Sequence, residues 1–161
     1  MAISNEGISQ YLCFQLGNEL LAIEVGKVRE VLEYIKITSV PCAPDYLKGI
    51  INVRGSVIPV MNLQCKLGLP ESKIDIHSRI IVTEIQVGDE IIVLGMIADS
   101  VKEVLDLSNR EIEPPPRLGN RFTANITRGV ANRDNSFIII MDLESILLNG
   151  NIIKEEQLQQ A

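Results

Sequence analysis

The chain repeats itself. Val28-Arg29-Glu30-Val31-Leu32 returns 73 residues later as Val101-Lys102-Glu103-Val104-Leu105. Gly49-Ile50-Ile51-Asn52, running on to Met61-Asn62-Leu63, returns 80 residues later as Gly129-Val130-Ala131-Asn132 and Met141-Asp142-Leu143. Six of the 15 positions in that second window are identical, among them Ser56/Ser136 and Ile58/Ile138. The same motifs in the same order, at two different offsets, describe two copies of one unit with a longer loop in the second. A unit this small encloses too little apolar surface to be secure alone, so the copies must pack on each other.

Composition says what the units are made of. With 24 Ile, 13 Val and four Thr, a quarter of the 161 residues are β-branched, whereas only six are aromatic and none is Trp. That balance favours strands filled by aliphatic side chains. The expected fold class is mainly β, two small β-barrel subdomains packed together with short helices. Residues 10–16 and 19–23 read as a hairpin across Gly17-Asn18, and residues 79–85 and 90–97 as a second across Val87-Gly88-Asp89. Val25, Val28, Val31 and Leu32 recur at helical spacing with charged residues between them, which predicts an amphipathic helix of two to three turns. Residues 49–53 and 57–63 read as strands around Gly55, and residues 126–131 and 137–141 as their counterparts around Asn132-Arg133-Asp134-Asn135. Residues 99–107 precede a stiff Pro114-Pro115-Pro116 loop; a short helix starts at Leu143, and residues 151–161 form a weakly helical tail.

Charge and motif content exclude whole classes of function. Fifteen basic against 21 acidic residues give a net charge of -6, and the basic ones are scattered, a poor match to a phosphate backbone. No nucleic-acid partner is expected. The N-terminal residues lack a basic and then apolar leader. The longest apolar run, residues 137–141, is far below the ~18 to 20 needed to span a bilayer. A cytoplasmic protein with no direct membrane insertion is the expectation. Cys13, Cys42 and Cys65 are odd in number and form no CxxC, and the lone His77 completes no zinc set, so no metal and no cofactor are expected. Reduced thiols and a solvent-facing His77 account for these residues. There is no GxSxG, Walker loop, GxGxxG, HExxH or DFG element; Ala98-Asp99-Ser100 continues with Val101 where an aspartic protease requires Gly. The chain reads as a non-enzyme that binds partners through apolar surface and sheet edges.

Several of these segments together resemble the CheW family of chemotaxis coupling proteins. The best match is Lys48-Gly49-Ile50-Ile51-Asn52-Val53-Arg54-Gly55 followed by Val57-Ile58-Pro59-Val60-Met61-Asn62-Leu63, supported by Gly17-Asn18-Glu19, Val28-Arg29-Glu30-Val31-Leu32 and Ala98-Asp99-Ser100-Val101. Val53, Asn62, Gln64 and Glu24 depart from the residues frequent in that family. The resemblance implies a CheW-like domain over residues 8–150, made of two SH3-like five-stranded barrels. It also implies a non-catalytic adaptor between the cytoplasmic tips of chemoreceptors and the regulatory domain of the histidine kinase CheA, recruited to membrane-associated arrays. An adaptor of a type IV pilus or another Che-like pathway is the alternative within the class, and a small β-barrel ligand-binding domain or enzyme the alternative outside it.

The resemblance also implies which residues face the receptor. Positions matching Leu12, Val25, Val28, Val31 and Val101 line an apolar groove between the subdomains, and Gly49 lies near it. Glu30 and Arg54 match an acid–base pair beside that groove. From the residues alone, the valines equally suit a helix face packed on a barrel, and Arg54 a solvated turn. Kinase contact is expected at the barrel ends, where Gly88-Asp89 and residues 132–135 turn, without assignment to single residues.

Overall fold

The structure, a computed structural model, describes residues 7–71, 73–114 and 127–149. The tail 151–161 and the proline run beyond Pro114 lie outside the described residues. Eleven strands are described: β1 (Ile8–Leu16), β2 (Glu19–Glu24), β3 (Val28–Glu33), β4 (Leu47–Val53), β5 (Ser56–Met61), β6 (Arg79–Val87), β7 (Glu90–Ala98), β8 (Ser100–Ser108), β9 (Ile112–Glu113), β10 (Thr127–Arg133) and β11 (Ser136–Met141). Two short helices follow β5 and β11, α1 (Leu63–Leu67) and α2 (Leu143–Asn149). The protein is mainly β, as expected, with two sheets curled like half-barrels.

One sheet runs β8-β1-β2-β11-β10-β9 and the other β3-β6-β7-β5-β4. The sheets are not the two sequence repeats. Hairpin β1–β2 from the first repeat joins β8 to β11 of the second, and hairpin β6–β7 from the second joins β3 to β5 of the first. Within each sheet the visiting hairpin meets its host through one parallel pairing, β11 with β2 and β5 with β7. Pseudo-equivalent strands occupy equivalent places, but each sheet borrows its hairpin from the other repeat.

Three apolar clusters follow from this arrangement. Tyr11, Cys13, Ala22, Leu105, Leu107, Ala131, Ile138 and Ile140 fill the curl of the first sheet. Ile51, Val53, Ile58, Val60, Ile80 and Val82 fill the curl of the second. The largest lies between the sheets and draws on both, with Leu12, Phe14, Leu16, Leu21 and Ile23 meeting Ile81, Ile85, Leu94 and Met96. Helices α1 and α2 contribute Leu63, Leu67, Leu143 and Ile146 to it. Strands β1 and β6 are therefore buried on both faces where they cross the core, over residues 11–14 and 80–83.

Two readings of the sequence need correction. Residues 25–33 are not a helix. Val25–Lys27 form a single 3-10 turn and Val28–Glu33 continue as the edge strand β3. The segment 57–63 is not one strand either: it ends at Met61, and the Asn62 side chain accepts the Cys65 N–H at 3.3 Å to start α1, which closes on left-handed Gly68. Asp142 plays the same part for α2, accepting from the Ser145 N–H at 3.2 Å.

The repeat is clearest at its glycines. At Gly49 a Cβ would stand 2.2 Å from the Thr38 carbonyl oxygen, because Thr38 and Ile50 exchange backbone hydrogen bonds there. At Gly129 a Cβ would stand 2.4 Å from Ile112 Cγ2 and 2.7 Å from the Glu113 oxygen, where β9 pairs with β10. Both glycines sit at a bulge, where one extra residue bends the strand. Gly49→Ala and Gly129→Ala are each expected to lower stability by about 1–3 kcal/mol, the range for forcing volume into a closed site. Equilibrium urea unfolding checks this; Gly55→Ala, with open space around its Cβ, separates loss of space from loss of backbone freedom.

Candidate functional site

Apolar side chains spaced by three usually indicate a helix. Here a β-bulge produces the spacing. Val28 pairs with Thr83 and Glu30 with Val82, so two steps along β3 match one along β6, with Arg29 as the extra residue. Val31 then pairs with Ile81. Thr83 and Ile81 lie two apart on β6 and share a face, so Val28 and Val31 point the same way, toward the cluster between the sheets. Glu30 and Leu32, opposite Val82 and Ile80, take the other face, over the curl of the second sheet.

The second repeat does the same. Phe14 pairs with Val101 and Leu12 with Val104, across a bulge between Cys13 and Phe14. Leu12 and Phe14 both belong to the inter-sheet cluster. Edge strands β3 and β8 thus carry matching valine pairs, Val28/Val31 and Val101/Val104, on the faces that look toward that cluster.

Each residue expected at a receptor surface has a definite place. Leu12 is buried in the inter-sheet cluster, and Val25, Val28 and Val101 are half-buried against it. These four are brought to one apolar rim. Val31 is 39% exposed and Val104 50%, so the rim runs outward into solvent along both edge strands. Val104 was missed as a site residue, although its place in the repeat pairs it with Val31. Gly49 stands apart, buried against the backbone of its own chain.

Glu30 and Arg54 meet: an Arg54 Nη2 hydrogen bond and ion pair end on Glu30 Oε2. Glu30 is the better covered partner, its side chain 24% exposed against 71% for Arg54. The bond from Glu30 pushes the Arg54 guanidinium further above its already high ordinary value. Both residues line a shallow cleft with Arg29, Val53, Ser56 and Ile58. The turn carrying Arg54 joins Val53 to Ser56 with positive φ at both central residues, 50° at Arg54 and 88° at Gly55. Asn, Asp and Gly suit such a turn; Arg does not. The matching turn of the other repeat follows the rule with Asp134 and Asn135. Glu30 has Glu103 as its counterpart and Arg54 has Asp134, so the second repeat holds two acids where the first holds an ion pair.

The described residues thus form an apolar rim shared by two sheets, with one ion pair ending on the opposite face of the edge strand β3. The family description "CheW-like domain" matches residues 10–149. The chain belongs to the CheW-like family. It is 29% identical over 154 residues to a chemotaxis protein CheW of Treponema pallidum, covering 96% of this chain and 90% of that one. To a chemotaxis protein CheW of Helicobacter pylori it is 30% identical over 143 residues, 89% of this chain and 84% of that one. Among solved structures it is similar to the scaffolding protein TtCheW of Thermoanaerobacter tengcongensis, with a TM-score of 0.75 and 36% identity over 84% of each chain.

Away from the rim, Arg133 Nη2 of the second repeat donates to Glu111 Oε2 at 2.9 Å and to the Asp106 carbonyl oxygen on β8 at 3.0 Å. The Ser108 backbone N–H and then the Arg133 guanidinium hold the Glu111 carboxyl below its ordinary value of 4.5. A carboxyl depressed on folding stabilises the protein above that value, and the contribution fades as pH falls through the folded-state pKa. Glu111→Gln should therefore melt below the wild-type chain at pH 7, and the gap should narrow below pH 4.5. Melting temperatures of both proteins across that range check it.

Proposed function

We propose that this chain is a non-catalytic adaptor of chemotaxis signalling that couples the cytoplasmic tips of chemoreceptors to the regulatory domain of the histidine kinase CheA. In this reading it is cytoplasmic and joins membrane-associated receptor arrays through its partners. The observation that carries the reading is the valine rim. Leu12, Val25, Val28 and Val101 meet one cluster, and Val31 extends it into solvent. An apolar stripe bordered by charge suits the apolar face of a partner helix.

Arg54 reaches the rim's edge strand from its other face, since its partner Glu30 stands between Val28 and Val31 on β3. An arginine in a left-handed turn position is a local conflict between sequence and backbone, and such conflicts gather at sites that serve a partner. Its pairing with Glu30 sets the guanidinium where a receptor at the rim can meet it. Gly49 acts at one remove: the bulge it permits shapes the strand leading to Arg54. The kinase takes the turns at the sheet ends, around Gly88-Asp89 and residues 132–135. An adaptor without catalytic groups changes kinase output by binding active and inactive assemblies unequally. A difference of about 1.4 kcal/mol shifts that balance tenfold.

Two substitutions test the assignment. Val31→Asp, at an exposed position, should abolish capture by a soluble receptor cytoplasmic fragment while leaving the circular-dichroism melt unchanged. Arg54→Ala should weaken receptor control of kinase autophosphorylation, in a reconstitution of receptor, adaptor and kinase, far more than it weakens adaptor–kinase titration. Unchanged receptor capture by the first, or equal losses in both assays for the second, would overturn the reading.

A further inference from the structure

The chain crosses between the sheets directly at two junctions, and the two are held differently. After β7 a single residue, Asp99, makes the step to β8; its N–H donates to the Gln15 carbonyl at 2.8 Å and its carboxylate accepts the Gly17 N–H at 2.7 Å. The backbone of hairpin β1–β2 holds that crossing. After β2 the crossing is the 3-10 turn Val25–Lys27, which buries none of its residues, has no side-chain cap and includes Gly26 in open space. It is anchored through Lys27. The Lys27 ammonium pairs with Glu144 in the first turn of α2 and lies 3.9 Å from Glu24. Glu24 in turn is 3.1 Å from Arg128 on β10. The four charges Arg128–Glu24–Lys27–Glu144 alternate in sign and are all partly covered, with side-chain exposures from 26% to 45%.

The position of this chain of charges matters. Val25 starts the turn and Val28 follows it, and both are rim residues. Glu24, Arg128 and Glu144 belong to the first sheet and its helix, whereas Val28 belongs to the second. We propose that Lys27 is a positioning residue for the partner-binding rim: through Glu144 and Glu24 it fixes the crossover turn against α2 and β10, and so sets where Val25 and Val28 stand without itself touching the partner. The inference rests on the adaptor reading. It adds that the rim is controlled from helix α2, on the C-terminal side of the fold, and that this control exists at one crossing only, since Ser100 stands where the repeat would place Lys27.

The experiment is a double-mutant cycle on the full chain with Lys27→Met, Glu144→Gln and both together. Two quantities are read: affinity for a soluble chemoreceptor cytoplasmic fragment, and amide hydrogen exchange at residues 25–28. Each single substitution is expected to weaken binding about two- to fivefold, the scale of a partly exposed pair, and to speed exchange across the turn. The double variant is expected to be no worse than either single one. Weakening by Lys27→Met but not by Glu144→Gln would make Lys27 a direct contact and overturn the proposal, as would additive losses or unchanged exchange. Should Val28→Asp leave receptor binding intact, the adaptor reading fails, while the exchange data still decide whether Lys27 and Glu144 hold the turn.

Discussion

Everything in this fold depends on the apolar contact between the two sheets. Each sheet has a small cluster in its own curl, but the largest cluster belongs to neither alone. It takes Leu12, Phe14 and Leu16 from one sheet and Ile81, Ile85 and Met96 from the other, and both helices close onto it. Separating the sheets would expose these side chains together, at a cost on the order of 1.5–3 kcal/mol for each large one. Because the same contact holds the sheets and forms the floor of the valine rim, the rim is an edge of the core.

Much of this was legible in the sequence, and the failures have physical causes. The two hairpins were clear from apolar runs broken by Gly17-Asn18 and Gly88-Asp89, since turn chemistry is local. The repeat was clear because its matches fall where the fold tolerates little: identical glycines backed by another strand, and the similar capping residues Asn62 and Asp142. Residues 25–33 misled because a 3-10 turn followed by a β-bulge places apolar side chains every three residues, the same interval as a helix. Periodicity alone does not separate the two; the β-branched make-up of Val25, Val28 and Val31 was the better guide. Helix α1 was missed because five residues show no period, although Asn62 and Gly68 bracket them as caps.

The site was legible in part. The motif that includes Arg54 marked it out, and the family resemblance implied Glu30 as its partner, where the residues alone left a solvated turn arginine open. The exposed half of the rim on β8 was less visible, since Val104 sits among charged neighbours. Lys27 and Glu144 are 117 residues apart, and no pattern along the chain brings them together. The repeat also shows where the two halves have diverged: Arg54 against Asp134, Lys27 against Ser100. Both differences change a charge, so the two copies share a shape but not an electrostatic surface.

The exchanged hairpins have a consequence for the chain as a whole. A lone repeat would hold three strands of one sheet and a hairpin that fits only the other. Two separate copies would each have to lend a hairpin to the other, giving a strand-swapped dimer whose assembly depends on concentration. Joining the copies head to tail makes that trade intramolecular, so the fold persists at any dilution. It also frees the two copies from identity. Once the partner is guaranteed by a covalent bond, one repeat can keep Arg54 and Lys27 while the other holds Asp134 and Ser100 in their places, an asymmetry that a dimer of identical chains cannot encode.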